Sequence, residues 1–165
     1  TLVSGQVSIA PPPFVKVVPV VSAKDMYDAV TAESDKQDII IKAAAVADYR
    51  PAVVSGEKIK KSDSSSTLEL ERTDDILAYL GAHKKQTYLC GFSMETENLL
   101  ENSRKKLLMK NADMIVANSI ASENTGFGVD TNAAVLITRT GEHETGLMSK
   151  EELAKVILSK AAELL

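Results

Sequence analysis

Short apolar runs alternate with amphipathic helical patterns along most of this chain, and this alternation constrains its fold more than any other feature. Residues 39–41, 88–92 and 113–117 read as strands, and a long helical pattern at 95–110 separates the last two. The unbroken apolar character of 39–41 is typical of a strand covered on both faces. Strands and helices in this order predict an α/β fold with a mostly parallel sheet and right-handed crossovers.

Further elements complete this pattern. A valine-rich segment at 14–21 predicts a strand, and Pro19 favours a sheet edge. Residues 67–71 alternate polar and apolar side chains, which predicts a short strand with one wet face, and 133–139 predicts another strand that Gly141 ends. The first residues, 1–5, read as the end of a strand that runs into a turn, so the chain looks cut at its start.

Capping signals mark the helix starts. Ser22 with Asp25, and Ser149 with Glu152, have the spacing of a capping box. The first of these helices is expected to end near Glu33, and Thr73 is expected to cap a further helix. The last helix has an apolar stripe made of Leu153, Val156, Ile157, Ala161 and Leu164.

Composition excludes several classes of function. The 165 residues predict one domain, and 19 Lys and Arg against 23 Asp and Glu make a nucleic-acid partner unfavourable. No apolar run approaches the roughly 18 residues of a membrane span, and no signal peptide is visible. Because Cys90 is the single cysteine, the chain cannot form an internal disulfide, and we expect a cytoplasmic protein. The two histidines are far apart in the sequence, which argues against a structural metal site.

Polar or small residues that follow the predicted strands are the candidate ligand-binding residues, because ligands of open α/β sheets bind beyond the carboxyl ends of the strands. The small residues 43–45 would let a planar ligand approach the backbone, and Asp48 could accept hydrogen bonds; an alanine-rich tight turn explains the same residues. Phe92 ends a strand where it could stack on a base, although a core phenylalanine is commoner.

Two groups of cations are also candidates. Lys58, Lys60 and Lys61 suit a polyphosphate, but a solvated loop carries such charges equally well. Lys106 and Lys110 are four residues apart on the long helix, and we expect them to project together from the face opposite its leucines. They could grip one anion, or they could simply form a solvated helix face.

Familiar catalytic motifs are missing from the chain. Neither G-x-G-x-x-G nor G-x-x-x-x-G-K-[ST] occurs, and no Ser/His/Asp or Cys/His arrangement can be built. Any phosphate-binding glycine loop is therefore expected upstream of residue 1.

Taken in order, several motifs resemble those of the phosphopantothenoylcysteine synthetase family. They are AAAVADYRP at 43–51, KIKK at 58–61, GF with Glu95-Thr96, KxxxKNxD at 106–113, IVAN at 115–118 and GFGVDTN at 126–132. The resemblance covers essentially the whole chain and implies a Rossmann-like, three-layer α/β fold. It also implies that CTP with Mg²⁺ activates 4'-phosphopantothenate as an acyl cytidylate, which cysteine then attacks.

The resemblance further implies roles for particular residues. Lys58 matches a catalytic lysine on a flap, Lys106 and Lys110 match lysines that bind the triphosphate, and Mg²⁺ is expected to be held mainly by phosphates and water. The nucleotide-binding positions carried over from the family are Ala43, Ala44, Ala45, Asp48, Lys58, Thr73, Asp74, Asp75, Ile76, Phe92, Lys106 and Lys110.

The chain also departs from the family. It has Thr-Asp-Asp-Ile at 73–76 where the family usually has Asn-Pro-Asp-Ile. The family's first strand, its glycine loop and an asparagine that contacts the acyl phosphate would precede Thr1, so we expect this chain alone to bind CTP without completing the reaction. We expect a homodimer, and association with a flavin-dependent decarboxylase domain.

Two other functions fit the residues without the resemblance. One is a nucleotide-binding Rossmann-like domain without turnover, either regulatory or dehydrogenase-like. The other is a dimerisation module that uses none of the lysines. Titration with CTP, ATP and NAD separates these possibilities from the ligase.

Overall fold

A computed structural model describes residues 1–60, 66–95, 97–119 and 128–163. Nine strands, four α-helices and one short 3-10 helix at Ser34–Lys36 occur in these ranges. The strands are β1 (Leu2–Ser4), β2 (Val17–Pro19), β3 (Ile39–Lys42), β4 (Tyr49–Pro51), β5 (Leu70–Arg72), β6 (Tyr88–Glu95), β7 (Met114–Ser119), β8 (Thr131–Thr138) and β9 (Glu142–Ser149). The helices are α1 (Ala23–Glu33), α2 (Ile76–His83), α3 (Leu99–Met109) and α4 (Lys150–Glu163).

The chain divides into two compact units. The first, called here the hairpin unit, comprises Thr1–Val30 and Ala45–Asp75. The second, called the sheet unit, comprises Thr31–Ala44 and Ile76–Leu165. The expectation of a single domain stays a prediction.

The sheet unit contains a five-stranded sheet in the order β3-β6-β7-β8-β9. Strands β3, β6 and β7 pair in parallel, whereas β8 pairs antiparallel with both β7 and β9. Strand β8 is therefore the one of the five that runs against the others. This arrangement confirms the predicted α/β class and mostly parallel sheet, and it adds β9, which the sequence did not indicate.

Helices cover both faces of this sheet. Tyr88, Cys90, Met114 and Val116 form one buried cluster with the α4 residues Leu153, Ile157 and Ala161. Alternate residues of a strand point to the other face, and there the side chain of Leu77 on α2 fills the space that a Cβ at Gly91 would need. The close approach of Gly81 on α2 to the carbonyl oxygen of Lys110 places the end of α3 beside α2. The predicted three-layer, Rossmann-like arrangement is thus confirmed within the sheet unit.

A β-bulge interrupts the pairing of β8 with β9. The register changes between Ala133 and Val135, because Thr145 and Gly146 of β9 lie opposite the single residue Ala134 of β8. Gly146 in this bulge has a φ of 68°, which glycine adopts without strain. The hydroxyl of Thr145 accepts the N–H of Ala134 at 3.1 Å. The side chain of Thr145 therefore replaces a backbone partner at the point where the ladder is interrupted.

The hairpin unit contains two small sheets. Strands β1 and β2 pair in parallel, and β4 and β5 pair antiparallel with Tyr49 opposite Arg72. The alternating pattern at 67–71 predicted one buried face, but Leu68 and Leu70 are 66% and 55% exposed. That expectation was wrong, because a two-stranded ladder alone does not cover either of its faces.

Both predicted capping boxes are present. The Oγ of Ser22 accepts the N–H of Asp25 at 3.1 Å, and the Asp25 carboxylate accepts the N–H of Ser22 at 2.8 Å. Ser149 and Glu152 make the same reciprocal pair before α4. Helix α1 ends at Glu33 as predicted. Leu164 of the predicted α4 stripe lies outside the described residues.

Two helix starts differ from their predictions. Helix α3 begins at Leu99 rather than near Glu95, because β6 continues to Glu95 in register with β7. Helix α2 begins at Ile76, too far from Thr73 for the predicted cap. None of the helices in the described part of the chain is long and apolar enough to cross a bilayer.

Candidate functional site

The β4–β5 ladder brings together two predicted nucleotide-binding segments that are 25 residues apart in the chain. The carbonyl oxygen of Asp48 accepts the backbone N–H of Thr73 at 3.0 Å. The hydroxyl of Thr73 donates to the carbonyl oxygen of Ala47 at 2.6 Å. Thr73 therefore fastens the loop before β4 to the end of β5 instead of capping α2. The Asp48 side chain remains exposed, with its carboxylate accessible to a ligand.

The alanines that follow β3 are exposed. Ala43, Ala44 and Ala45 all lie at the surface, and the Nζ of Lys42 donates to the carbonyl oxygen of Ala44 at 3.0 Å. Small exposed side chains leave the backbone open to a planar ligand, as the sequence suggested. Ala43 and Ala44 belong to the sheet unit, whereas Ala45 belongs to the hairpin unit.

The remaining residues of segment 73–76 differ in exposure. Asp74 and Asp75 are exposed, whereas Ile76 is 2% exposed in the core of the sheet unit. Ile76 is therefore closed to a ligand, while Asp74 and Asp75 are accessible.

Lys58 lies on an exposed stretch between β4 and β5. Its neighbour Ile59 is 79% exposed, so this stretch has no apolar packing to hold it against the described part of the hairpin unit. No described residue forms an ion pair with Lys58. Lys61, the last residue of the KIKK motif, lies outside the described residues, as do Thr96, Gly126 and Phe127 of the other motifs.

Phe92 and the lysines of α3 lie on opposite faces of the five-stranded sheet. Phe92 is half-buried and packs against the cluster that contains the α4 residues. Lys106 and Lys110 belong to α3 and its C-cap, on the face that α2 also covers. The structure therefore does not bring Phe92 together with the two lysines.

The predicted orientation of the two lysines was also wrong. Lys106 and Lys110 are half-buried and lie on the same side of α3 as the buried Ser103 and Leu107. Leu108, which was expected on the buried side, is 63% exposed. Their stems lie along the packed face of the helix, an arrangement that long basic side chains tolerate because the charged end can still reach solvent.

The last part of the KxxxKNxD motif supports the fold. Asn111 has a φ of 46°, donates from Nδ2 to the carbonyl oxygen of Gly81 at 2.8 Å and accepts a hydrogen bond from Arg139. Asp113 accepts the N–H of Leu89 at 2.8 Å and pairs with Lys84. These two side chains tie the end of α3 to α2 and to the start of β6, which explains their place in the motif without a ligand.

Two asparagines at the carboxyl end of β7 and the amino end of β8 were not selected from the sequence. The Nδ2 of Asn132 donates to the Oδ1 of Asn118 at 3.0 Å, and Asn132 is 5% exposed. Asn118 ends the IVAN motif and Asn132 ends GFGVDTN, so two motifs that are distant in sequence meet here. The sequence offered one sign of this pair, which is that both motifs end in an asparagine.

The described residues do not form a cluster of side chains that could hold a metal ion. No three His, Cys, Asp or Glu side chains converge among the described residues. Burial raises the pKa of the Cys90 thiol to about 12, so this cysteine is a neutral core residue at physiological pH.

Comparison with known proteins identifies the family. The model of the DNA/pantothenate metabolism flavoprotein C-terminal domain matches residues 1–165. The chain belongs to this family. It is 45% identical over 165 residues to the coenzyme A biosynthesis bifunctional protein CoaBC of Bacillus subtilis, covering 99% of this chain and 41% of that protein.

Other relatives agree. The CoaBC protein of Escherichia coli is 42% identical over 164 residues, covering 97% of this chain and 40% of its own length. A crystal structure of the C-terminal domain of CoaBC superposes with a TM-score of 0.82 at 40% identity, covering 99% of this chain and 74% of that one. The chain thus spans about two fifths of the length of these two curated relatives.

Proposed function

We propose that this domain joins 4'-phosphopantothenate to cysteine at the expense of CTP, through an acyl-cytidylate intermediate, in coenzyme A biosynthesis. The observation that carries the proposal is the 45% identity to a CoaBC protein over the whole of this chain. The β4–β5 ladder adds support, because it joins the Asp48 loop to the segment that begins at Thr73.

The reaction has two steps. A carboxylate oxygen of 4'-phosphopantothenate attacks the α-phosphorus of CTP; the new P–O bond forms as the bond to the β-phosphate breaks, and pyrophosphate leaves. The cysteine amine then attacks the acyl carbon, the C–O bond to CMP breaks, and the amine loses a proton as the amide forms. Activation is needed because a free carboxylate is a poor acyl donor.

The residues of this chain would act mainly by binding and by charge. The Nζ of Lys58, on its exposed stretch, would stabilise the negative phosphoryl oxygens that develop during the first step. The Asp48 carboxylate would accept hydrogen bonds from the nucleotide, and the exposed backbone at 43–45 would let it approach closely. Phe92 is only half-buried and would lie by the nucleotide, as the resemblance implies.

Lys106 and Lys110 would bind phosphate oxygens, with their stems packed along α3. This role rests on the resemblance alone, because the two lysines lie on the face of the sheet opposite Phe92. Magnesium supplies charge neutralisation of the triphosphate when it is bound with CTP. No described carboxylate cluster would hold it directly, so its proposed ligands are phosphates and water.

The wider setting is part of the same proposal. The matched relatives are bifunctional proteins, which supports association with a flavin-dependent decarboxylase domain. We also propose a homodimer, as the resemblance implies, and a cytoplasmic location, which a sequence with one cysteine favours.

The test separates the two steps in a complete synthetase that contains residues 1–165 together with the upstream segment, because residues 1–165 alone are expected to bind CTP without releasing pyrophosphate. With CTP, Mg²⁺ and 4'-phosphopantothenate but no cysteine, we expect about one equivalent of pyrophosphate per site. Adding cysteine should release CMP and restore turnover. Omitting 4'-phosphopantothenate is the control, and pyrophosphate release that does not depend on this substrate contradicts the proposal.

A further inference from the structure

The Asn118–Asn132 pair contains a hydrogen-bond relay whose direction the backbone determines. The Oδ1 of Asn132 accepts the N–H of Ala133 at 3.0 Å. A backbone N–H can only donate, so the atom that it meets must be the amide oxygen and the other end of Asn132 must be the nitrogen. That nitrogen donates to Asn118, whose receiving atom must therefore be Oδ1.

The relay leaves a donor at one end. Since Oδ1 of Asn118 faces Asn132, the NH₂ group of Asn118 points away from the pair. Among the residues that the structure describes, none accepts a hydrogen bond from this nitrogen. Asn118 is half-buried, whereas Asn132 is 5% exposed, so the inner amide holds the outer one in place.

The position of Asn118 relates it to Phe92. Residues 114, 116 and 118 of β7 alternate onto one face, and Met114 and Val116 belong to the cluster against which Phe92 packs. In the β6–β7 register, Phe92 pairs with Val116 and Met94 pairs with Asn118. Asn118 therefore lies two residue pairs nearer the carboxyl end of the strands than Phe92, on the same face and in the usual position for a ligand.

We propose that Asn118 donates a hydrogen bond from Nδ2 to the ring carbonyl oxygen of a pyrimidine base, and that Asn132 positions it for this contact. This inference rests on the proposed function. An aromatic ring beside an amide donor suits a planar ligand with an acceptor oxygen at its edge. Cytosine and uracil have such a carbonyl oxygen at position 2, whereas adenine has no carbonyl oxygen. Asn118 would thus favour CTP and UTP over ATP.

Asn118→Asp tests the donor with little other change. The carboxylate still accepts the hydrogen bond from Asn132, so the pair remains, and only the outward NH₂ is replaced by an acceptor. We expect CTP and UTP to bind about tenfold more weakly, with ATP changed less than about twofold. The added negative charge repels every triphosphate, so the ratio of CTP to ATP affinity isolates the lost donor.

Two more variants complete the set. Gln86→Glu makes the same amide-to-acid change at an exposed residue just before the amino end of β6, and it should leave the CTP-to-ATP ratio unchanged. Asn132→Asp still accepts the Ala133 N–H but cannot donate to Asn118, so the outer amide loses its fixed orientation. We expect this variant to lower the ratio while the melting temperature stays within a few degrees of that of the parent.

Isothermal titration of residues 1–165 with CTP, UTP and ATP in the presence of Mg²⁺ measures these ratios. The side-chain NH₂ signals of Asn118 provide a second measurement in the parent protein; they should shift on addition of CMP and stay in place with AMP. A parent that binds no CTP overturns the proposed function, and this inference with it. A parent that binds CTP, with an unchanged ratio in Asn118→Asp and no NH₂ shift, overturns this inference alone.

Discussion

The packing of α2 against the end of α3 depends on a missing side chain at Gly81. A Cβ added at this position would lie 1.8 Å from the carbonyl oxygen of Lys110 and 3.3 Å from the Cβ of Asn111. The obstacle is backbone, which cannot rotate aside as a long side chain can. To reach an ordinary contact of about 3.4 Å, the two segments must separate by about 1.6 Å.

The free energy of unfolding of Gly81→Ala includes one gain, from helix propensity, and two losses, from overpacking and from a weakened hydrogen bond. Alanine in a helix gains about 1 kcal/mol over glycine. Overpacking of this kind costs about 1 to 3 kcal/mol or more, and weakening the hydrogen bond from Asn111 to the Gly81 carbonyl costs about 0.5 to 1.5 kcal/mol. We therefore expect a net loss of roughly 2 kcal/mol, which lowers the melting temperature by roughly 4 to 8 °C in a protein of this size.

Thermal and urea denaturation of the parent and Gly81→Ala measure this loss. Gly141→Ala is the matched control, because a Cβ there meets no atom within 4 Å, and it should change stability by less than about 0.5 kcal/mol. If Gly81→Ala is as stable as the parent, the close approach of α2 to α3 is refuted, and with it the placement of both helices on one face.

Three further predictions concern function and capping. Lys110→Ala should weaken CTP binding about tenfold or more while CMP binding barely changes, as titration can measure; unchanged CTP affinity removes Lys110 from the site. Lys58→Gln in a complete synthetase should lower turnover far more than CTP affinity, because its charge acts on the transition state, and a full-rate variant would falsify this role. Hydrogen bonds from Ser149 lower the pKa of Glu152, so its stabilising effect is present above the unfolded pKa of about 4 and is lost as the pH falls through the lower folded value. The melting temperatures of the parent and Glu152→Gln should therefore differ at about pH 7 and converge at about pH 3; a difference that does not depend on pH contradicts this account.

Much of the sheet unit follows from local sequence. The run at 39–41 forms β3, and the Ser149–Glu152 box begins α4, because apolar periodicity and capping act within a few residues. The α4 stripe of Leu153, Ile157 and Ala161 is buried as its spacing predicted. The α/β class therefore needed no tertiary information.

Strand β9 needed tertiary information. It begins with Glu142, His143 and Glu144, and no alternation in these residues indicates a strand. The strand forms because β8 offers a free edge, and its register includes a bulge that Gly146 accommodates. Pairing with a neighbour, rather than propensity, decides such an edge strand.

Tertiary packing also decided which side chains are buried and which partners they contact. Sequence spacing correctly placed Lys106 and Lys110 on one side of α3, but contact with the sheet decided that this side would be the packed one and that Leu108 would be exposed. Thr73 has the composition of a helix cap, yet it bonds Ala47 because β4 lies beside it. The relay through Asn132 joins residues 14 positions apart and arises only because β7 and β8 pair. Local sequence thus determined which elements form, whereas packing determined which of their side chains meet, since those contacts join residues that local periodicity does not relate.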